Sequence, residues 1–458
     1  MKKKFLLIPG YMILSILTIY NISNNSAPEI NWQNCIGGTK EDYFLSVIQL
    51  RDGNFLYCGA ADSKNGDFTG SGHRGTEAFL LKVDDDGREI WKQTYGGSSD
   101  DIFYNAIEAA NGDIIAVGTS GSNDKQVTNH HGAAGSDDIW LVKTNSKGVL
   151  IKERSYGGTQ SESTLNVGMS EGLMIDQSGN ILFVGETSSN DGDVSGNHGD
   201  YDGWLVKVDP TTFNIINSKT VGDASYDAAY NIYEINGSLF VTGCRSTVPL
   251  ITTDDKTMED HGKAFACKID ATTFNTIWYK SYGGSGSEFC NASVVTQDQN
   301  LVLTGHAASS DGDCVGNHGF NTWTWKISAD SGKIIWKNFT GVAGDSTAAF
   351  NMTSTRDGGF ILVGGIFGHA ESFLPDAYVI RLNSNGDTLW TKRFGGNDAD
   401  LLLGVVEKND NRILAGGQTW SLNLPGFHGG PFTAQIFGRY PGKKKNGPAS
   451  DAWMVELK

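Results

Sequence analysis

Three sets of polar side chains recur along the chain at intervals of about sixty residues, and each has the composition of a binding or catalytic site. The first set consists of carboxylates that follow a Gly-Gly or related pair by four or five residues. Its members are Asp42, Asp101, Glu162, Asp227, Glu288, Asp345 and Asp400. If they circled one mouth of a closed ring, they would offer hard oxygen ligands to a cation or a polar ligand. Alternatively, each accepts backbone N–H bonds from a neighbouring repeat, as buried polar groups usually do.

Histidines form the second set, because six of the nine fall at one position of the repeat. Five of them directly precede a glycine, and His73, in His73-Arg74-Gly75, is a variant; the five are His131, His198, His261, His318 and His428. An acid such as Asp138, Asp202 or Asp451 opens the segment that follows. Six independent general bases do not fit any ordinary active site. We therefore expect each histidine to join a carboxylate and loop backbone in a buried polar staple.

An acidic stretch precedes two of these histidines: SNDGDVSGNHG at 189–199 and SSDGDCVGNHG at 309–319. Carboxylates stand at alternate positions around a glycine, namely Asp191 and Asp193, and Asp311 and Asp313. These are oxygen ligands suited to Ca²⁺, although the full spacing of a twelve-residue calcium loop is missing. An Asx-turn loop capped by its own side chains explains the pattern equally well. Calcium is the one cofactor that the sequence indicates.

The elements that must position these residues are short strands. Each repeat contains four apolar or alternating runs of five to seven residues, separated by Asp-Gly and similar turns. Four strands in a repeat of this length are typical of a β-propeller blade. The sequence thus predicts an all-β fold.

Both chain ends contribute to one blade. After the last Gly-Gly pair only three strand-like runs remain, ending in DAWMVELK, whereas INWQNCIGG near the start has no predecessor. We predict a seven-bladed β-propeller with four antiparallel strands per blade, closed by pairing of the N- and C-terminal strands. The predicted blades are 39–97, 98–158, 159–222, 223–284, 285–341, 342–396, and 397–458 completed by 31–38.

The first 27 residues lie outside the repeat. Three lysines precede an apolar run from Phe5 to Tyr20, which matches a secretory signal peptide or an uncleaved N-terminal anchor. Residues 28–458 form the propeller domain, which we expect to be exported to the periplasm, the cell surface or the medium. No membrane span is expected in the mature chain unless this segment is retained.

Cysteine content and charge narrow the function further. Cys244 and Cys267 lie in neighbouring strands of one blade and either form a disulfide or, like the other four cysteines, are small buried hydrophobes. The formal charge of −16 argues against nucleic acid as a partner, because phosphates require a basic surface.

The most irregular region is the segment from Gln418 to Ser450 in the last blade. Strand parity places it on the side of the disc that carries all the long loops, where a partner should bind. It contains the aromatic and basic residues of a binding hot spot. These candidate ligand-binding residues are Phe427, His428, Phe432, Arg439 and Tyr440. A flexible insertion is the alternative.

Several motifs resemble those of exported β-propeller repeat proteins of Bacteroidetes-type bacteria, which are mostly uncharacterised. They are W-x-K-x-[YF]-G-G-[ST]-x-x-D, D-G-G-F-I-L-V-G, T-S-S-N-D-G-D-V-x-G-N-H-G and D-x-W-L-V-K-x-D, and the resemblance covers residues 31–458. It implies a secreted or cell-surface protein. SADSGKIIW at 328–336 is similar to the tryptophan-docking repeat of quinoproteins.

Two classes of function remain open. The first is a non-catalytic binding or scaffold protein of the bacterial envelope or exterior, whose partner is an unknown protein or glycan. The second is a propeller-based enzyme, either a glycan hydrolase or lyase or a quinoprotein-like oxidoreductase, because a propeller fold does not select a chemistry. The sevenfold repetition favours the first class, since it contains neither a unique carboxylate pair nor a nucleophile.

Overall fold

The chain folds into seven antiparallel β-sheets arranged as the blades of a propeller. The computed structural model describes residues 27–70, 75–133, 135–164, 172–246, 262–342, 344–368, 375–428, 431–434 and 445–458. Six blades have four strands, and in the third blade the described part of the first strand consists of two short pieces. This confirms the predicted seven-bladed, all-β fold. Most of the predicted N-terminal segment, residues 1–26, lies outside the described part.

Each blade runs from a first, inner strand to a fourth, outer strand, and the blades are numbered in chain order. Blades 1 to 3 contain Asp42–Gln49, Phe55–Ala61, Glu77–Val83 and Glu89–Tyr95; Asp101–Glu108, Ile114–Ser120, Asp138–Thr144 and Leu150–Tyr156; and Glu162–Ser163 with Leu173–Ile175, Ile181–Thr187, Asp202–Val208 and Ile215–Val221. Blades 4 and 5 contain Tyr226–Ile235, Ser238–Ser246, Lys263–Asp270 and Thr276–Tyr282; and Glu288–Val295, Leu301–Ala307, Asn321–Ile327 and Ile334–Thr340. Blades 6 and 7 contain Asp345–Ser354, Phe360–Gly368, Asp376–Leu382 and Thr388–Phe394; and Asp400–Glu407, Ile413–Thr419, Asp451–Leu457 and Ile30–Ile36.

Ring closure joins the two ends of the chain. The strand Ile30–Ile36 pairs antiparallel with Asp451–Leu457 and forms the outer strand of blade 7. Beyond it, the main chains of Glu29 and Lys458 exchange two hydrogen bonds of 2.9 and 2.8 Å. The predicted closure by N- and C-terminal strands is therefore confirmed.

A glycine near the end of the second strand recurs in every blade because the first strand lies too close for a side chain. In blade 2, a β-bulge between Phe103 and Asn105 brings the first strand against Gly118. A Cβ built on Gly118 would overlap the carbonyl oxygen of Ile102. The glycines that face a first-strand carbonyl in this way are Gly59, Gly118, Gly185, Gly243, Gly305, Gly364 and Gly417. This packing explains why every blade has a glycine at this position.

Neighbouring blades are joined by a tryptophan of one blade that lies over a turn glycine of the next. Trp91 in the fourth strand of blade 1 would be 2.8 Å from a Cβ on Gly148, whose φ of +77° also favours glycine. The Tyr95 hydroxyl donates to the Gly148 carbonyl at 2.6 Å. The same contact joins Trp32 to Gly87, Trp278 to Gly332 and Trp336 to Gly386. These aromatic side chains thus set the spacing of the blades.

Inner strands from several blades pack together around the axis. Tyr43 and Leu45 of blade 1, Tyr104 of blade 2 and Leu401 of blade 7 belong to one apolar cluster. Partly buried Ile102 and Phe350 pack against it. Side chains from four blades therefore fill this part of the central channel, which gives the disc a rigid centre.

All six cysteine side chains lie within the described residues, are buried, and form no disulfide. The sequence left open whether Cys244 and Cys267 form a disulfide, and in the structure these two residues are not bridged. The described residues also contain no helix with the length and apolar character that a membrane crossing requires.

Candidate functional site

Alternation of antiparallel strands determines which connections share a side of the disc. The loop between the second and third strands emerges on the same side as the connection from each fourth strand into the next blade. We call this side the long-loop face. The short turns occupy the opposite side, so every recurring polar set of the sequence belongs to the long-loop face.

Six of the seven predicted first-strand acids are buried at the start of the inner strand. Each accepts the backbone N–H of the residue four positions earlier, for example Gly38 N–H to Asp42 Oδ2 at 2.9 Å. The long loop of the same blade supplies further donors: the Ser63 hydroxyl lies 2.6 Å from Asp42 Oδ2. The equivalent acids are Asp101, Glu162, Asp227, Glu288 and Asp400. All six fasten the inter-blade connection, and within the described residues all but Asp227 also accept a donor from the long loop of their own blade, as the second interpretation of this set expects.

Burial dominates the electrostatics of these carboxyl groups. Loss of hydration raises the pKa of Asp42 to about 8, although three accepted hydrogen bonds lower it. The same cause raises the pKa of Asp101, Asp227 and Asp400 to about 6. A buried carboxylate without a counter-charge is unfavourable, and hydrogen bonds offset the cost only in part.

Asp345 does not belong to this set. In blade 6 the position equivalent to Asp42, two residues before the first-strand bulge, is occupied by Thr347. The Thr347 backbone N–H donates to the Phe320 carbonyl, just as the Asp42 N–H donates to the Ser450 carbonyl. Its hydroxyl donates to the Thr340 carbonyl at 2.9 Å. One extra residue after Gly341 shifts the register, so Asp345 lies near the start of the strand and is only partly buried.

Three of the predicted histidines contact the acid that opens the third strand. His131 Nδ1 lies 2.8 Å from Asp138 Oδ2, and His198 Nδ1 lies 2.6 Å from Asp202 Oδ2. The backbone N–H of His428 donates to Asp451 Oδ2 at 2.5 Å. The carboxylates are buried but these imidazoles are partly exposed, so the staples are half-exposed rather than buried.

The other predicted histidines differ. His318 is exposed, and the residue that opens its third strand is Asn321, so this position offers it no carboxylate. His73 and His261 lie outside the described residues.

His130 breaks the symmetry of the face and was not singled out from the sequence. Its imidazole is 4 % exposed and lies 3.7 Å from the Asp138 carboxylate that also contacts His131. Neither ring nitrogen has a hydrogen-bond partner among the described residues. The histidine doublet is the only signal in the sequence that distinguishes this loop.

The predicted calcium residues take part in loop contacts. Asp191 Oδ1 accepts the Thr159 N–H at 2.7 Å, and Asp193 Oδ1 accepts a hydrogen bond from the Arg154 guanidinium at 3.1 Å. In blade 5, Asp311 Oδ1 accepts the Ser285 N–H at 2.6 Å, and Asp313 Oδ2 accepts the Gly283 N–H at 3.2 Å. Among the described residues, no group of three or more His, Cys, Asp or Glu side chains is placed to hold a metal ion. Calcium binding by these four residues stays a prediction.

The candidate binding loop of blade 7 is described in part. Phe427 is partly buried and packs against the apolar cluster that includes Leu424 and Trp453, and the backbone N–H of His428 donates to Asp451. Residue 432 lies in the short strand Pro431–Ala434, which pairs with Lys445–Pro448. The side chain of Phe432, and Arg439 and Tyr440 as a whole, lie outside the described part.

At three blade junctions, two carboxylates face one glycine. A Cβ on Gly222 would lie 2.5 Å from Asp202 Oδ1 and 2.8 Å from Asp227 Oδ2. Asp138 with Glu162 faces Gly157, and Asp451 with Asp42 faces Gly37, in the same way. In each pair one acid opens a third strand and the other opens the first strand of the next blade. The sequence shows both sets of acids, but their pairing requires the fold.

At the junction of blades 4 and 5, a lysine replaces the third-strand acid. The Lys263 ammonium lies 3.1 Å from Glu288 Oε2 and bonds the carbonyls of Gly284 and Gly286 at 2.5 and 2.7 Å. At the junction of blades 5 and 6 the two equivalent positions hold the neutral residues Asn321 and Thr347. These junctions can thus hold a positive charge on carboxylate and carbonyl oxygens.

No protein-family model and no curated protein matches the chain. Solved structures that resemble it include the Dos1 propeller, with 10% identity, coverage of 94% of this chain and 95% of that one, and a TM-score of 0.46. The Neurospora crassa Pan2 WD40 domain has 9% identity, coverage of 90% and 89%, and a TM-score of 0.46. A europium-containing methanol dehydrogenase has 9% identity, coverage of 94% and 93%, and a TM-score of 0.45.

Proposed function

We propose that the protein is a non-catalytic binding or scaffold protein that receives a protein or glycan on its long-loop face. One observation carries the proposal: loops that differ in sequence and length are fastened to one rigid disc by the same buried carboxylates. Asp42 holds the loop of blade 1 through Ser63, and Glu162 accepts the Ser189 N–H of the loop of blade 3. The repeated carboxylates are buried inside the disc, whereas the loops that differ between blades face the solvent.

Such an arrangement favours recognition for an energetic reason. A loop that is already ordered loses little conformational entropy when a partner binds, so more of the contact energy appears as affinity. Variable loops on a repetitive scaffold are also a common location of binding residues.

We propose that the contact lies in the loop of blade 7. Leu422 at its start is 61% exposed and adds apolar surface beside the loop. The strands Pro431–Ala434, which includes Phe432, and Lys445–Pro448 follow and pair with each other, and in the sequence Arg439 and Tyr440 stand between them. Aromatic and arginine side chains are those most enriched in binding hot spots.

The test is a pull-down with the full chain, immobilised, against envelope proteins and an array of bacterial glycans, each with and without Ca²⁺. In the variant, a Gly-Ser linker of equal length replaces residues 429–447. In the matched control, the loop 309–319 is replaced by its near copy from 189–199. A component that binds the wild type and the control but not the variant supports the proposal, provided that all three proteins melt alike.

Equal retention of every component by wild type and variant would place the contact elsewhere and overturn the assignment to blade 7. If instead an array glycan is cleaved or a small alcohol oxidised, the enzyme alternative holds, as a glycan hydrolase or lyase or a quinoprotein-like oxidoreductase. We also propose export, supported by the lysines and apolar run of residues 1–27. Recovery of the protein in the cytoplasmic fraction would contradict it.

A further inference from the structure

We infer that three of the seven blade junctions each bind one divalent cation, such as Ca²⁺, between two buried carboxylates. Backbone carbonyls supply part of the ligand set, so each site requires only two acidic side chains. The three pairs are Asp451 with Asp42, Asp138 with Glu162, and Asp202 with Asp227.

An unpartnered oxygen points into each of these junctions. Asp451, Asp138 and Asp202 are fully buried, and Oδ2 of each accepts a histidine N–H. Oδ1 of each faces the junction glycine and has no hydrogen-bond partner among the described residues. A buried carboxylate oxygen without a donor is costly, and a cation is a partner that stabilises it.

The ammonium group of Lys263, at the junction of blades 4 and 5, indicates where the inferred cation lies at the other junctions. Lys263 stands in the same register as Asp451: Ala264 pairs with Tyr282 before Gly283 as Ala452 pairs with Ile36 before Gly37. Its ammonium is held by one carboxylate and two backbone carbonyls, those of Gly284 and Gly286.

The equivalent atoms at the junction of blades 7 and 1 are the Asp42 carboxylate and, by register, the carbonyls of Gly38 and Lys40. The Asp451 side chain is shorter than that of Lys263, so at this junction the place that the Lys263 ammonium takes between blades 4 and 5 is open to a free ion. Hard oxygen atoms of this kind are the ligands that Ca²⁺ prefers.

Charge balance favours a divalent ion over a shared proton. Lys263 with Glu288 is neutral, and so is Asn321 with Thr347, whereas each of the three acid pairs carries two negative charges once both carboxyl groups are ionised, as they would be around a bound cation. One proton would leave a net charge in a buried place and would not use the carbonyls. At two further junctions a side chain supplies the cation: Lys64 lies 3.2 Å from Glu77, and Arg393 contacts Asp376.

The other charged side chains near these acids approach atoms other than Oδ1 of the third-strand acid. The imidazoles of His130 and His131 approach Oδ2 of Asp138, those of His198 and His428 approach Oδ2 of Asp202 and Asp451, and Arg245 Nε is 3.9 Å from Asp227 Oδ1. They leave Oδ1 of the three third-strand acids unpaired, so the inferred ion position remains the same in all three junctions.

Equilibrium dialysis of the full chain against radioactive Ca²⁺, after treatment with a chelator, tests the inference. We expect three ions per chain, two in Asp451→Asn or Asp138→Asn, and four in Lys263→Asp, which recreates the acid pair. Asp311→Asn is the matched control, because it removes a loop carboxylate beside a junction that already contains lysine, and it should leave three.

Failure of the folded wild type to bind Ca²⁺ at millimolar concentration would overturn the inference, as would three ions in Asp451→Asn and Asp138→Asn alike. A protonated carboxyl band in the infrared spectrum at neutral pH, unchanged by Ca²⁺, would show that protons occupy these junctions instead. A loss of ions in Asp311→Asn would assign binding to the acidic loops. None of these results depends on whether the long-loop face binds a partner.

Discussion

The substitution Gly118→Ala tests whether close approach of the first and second strands is what fixes glycine in every blade. The new methyl group would overlap the Ile102 carbonyl oxygen and lie 2.8 Å from its carbonyl carbon and 2.9 Å from Phe103 Cα. All three atoms belong to the backbone of a paired strand. They cannot move aside without disturbing the ladder at the bulge between Phe103 and Asn105.

The expected cost combines overpacking with lost hydrogen bonds. Forcing a methyl group into a packed interior costs about 1 to 3 kcal/mol, and each ladder hydrogen bond that is broken costs roughly 1 kcal/mol. We expect Gly118→Ala to lower the free energy of unfolding by about 3 to 5 kcal/mol, a large share of the stability of an ordinary domain.

Chemical denaturation followed by tryptophan fluorescence measures this loss, and Trp140, which stacks on Phe103 at a centroid distance of 5.3 Å, reports the affected blade. Gly112→Ala is the matched control: its φ is +84°, and nothing lies within 4 Å of the added Cβ. It should cost only about 1 kcal/mol, from the left-handed backbone conformation. If the two substitutions shift the midpoint equally, steric approach is not the reason for the repeated glycine.

Three further predictions follow from the junctions and the core. In the presence of a chelator, we expect the melting temperature to fall as the pH rises from 5 to 8. The buried carboxyl groups bind a proton more tightly in the folded than in the unfolded protein, so the stabilisation from these protons is fully present below about pH 4. It is lost as the pH rises through 6 to 8, and the loss is on the order of 1 to 3 kcal/mol for each group. A rising or flat profile would refute this, and the groups concerned are Asp42, Asp101, Asp227, Asp400 and Asp451. Trp91→Ala should destabilise the protein by about 2 to 4 kcal/mol in denaturant titrations because it removes the contact with Gly148, whereas Ile90→Ala, at a side chain 49% exposed, should change stability by less than about 0.5 kcal/mol. A thiol reagent such as Ellman's reagent should find no reactive cysteine in the native protein and six after unfolding, since burial raises the pKa of thiols such as Cys267, to about 12; prompt native labelling would contradict the packing.

The repeat made most of the fold predictable. Its period gives the number of blades, and the unmatched strand at 30–36 gives the closure, because both are properties of sequence order alone. Register within a blade was harder to predict. Asp345 was assigned to the acid set by its distance from Gly341, and one inserted residue transferred that place to Thr347.

The candidate site was less predictable because its members come from different blades. The pairing of Asp202 with Asp227 depends on how two sheets meet, which no local spacing encodes. Comparison of the residues that open successive third strands would have shown Lys263 and Asn321 where the other five blades have an acid, a signal available in the sequence. His130 has no counterpart at its repeat position, so only its burial identifies it.

The closing strand has a consequence for the order of folding. Six blades consist of contiguous segments and can form hairpin by hairpin, whereas blade 7 joins Asn31 to Glu456 across 425 positions. Contacts of such sequence separation are entropically slow to form, so the earliest strand to be synthesised has to wait for the last one. Until then the outer edge of Asp451–Leu457 lacks its partner strand. Completion of the seventh blade is the step that turns a curved array into a single cooperative unit.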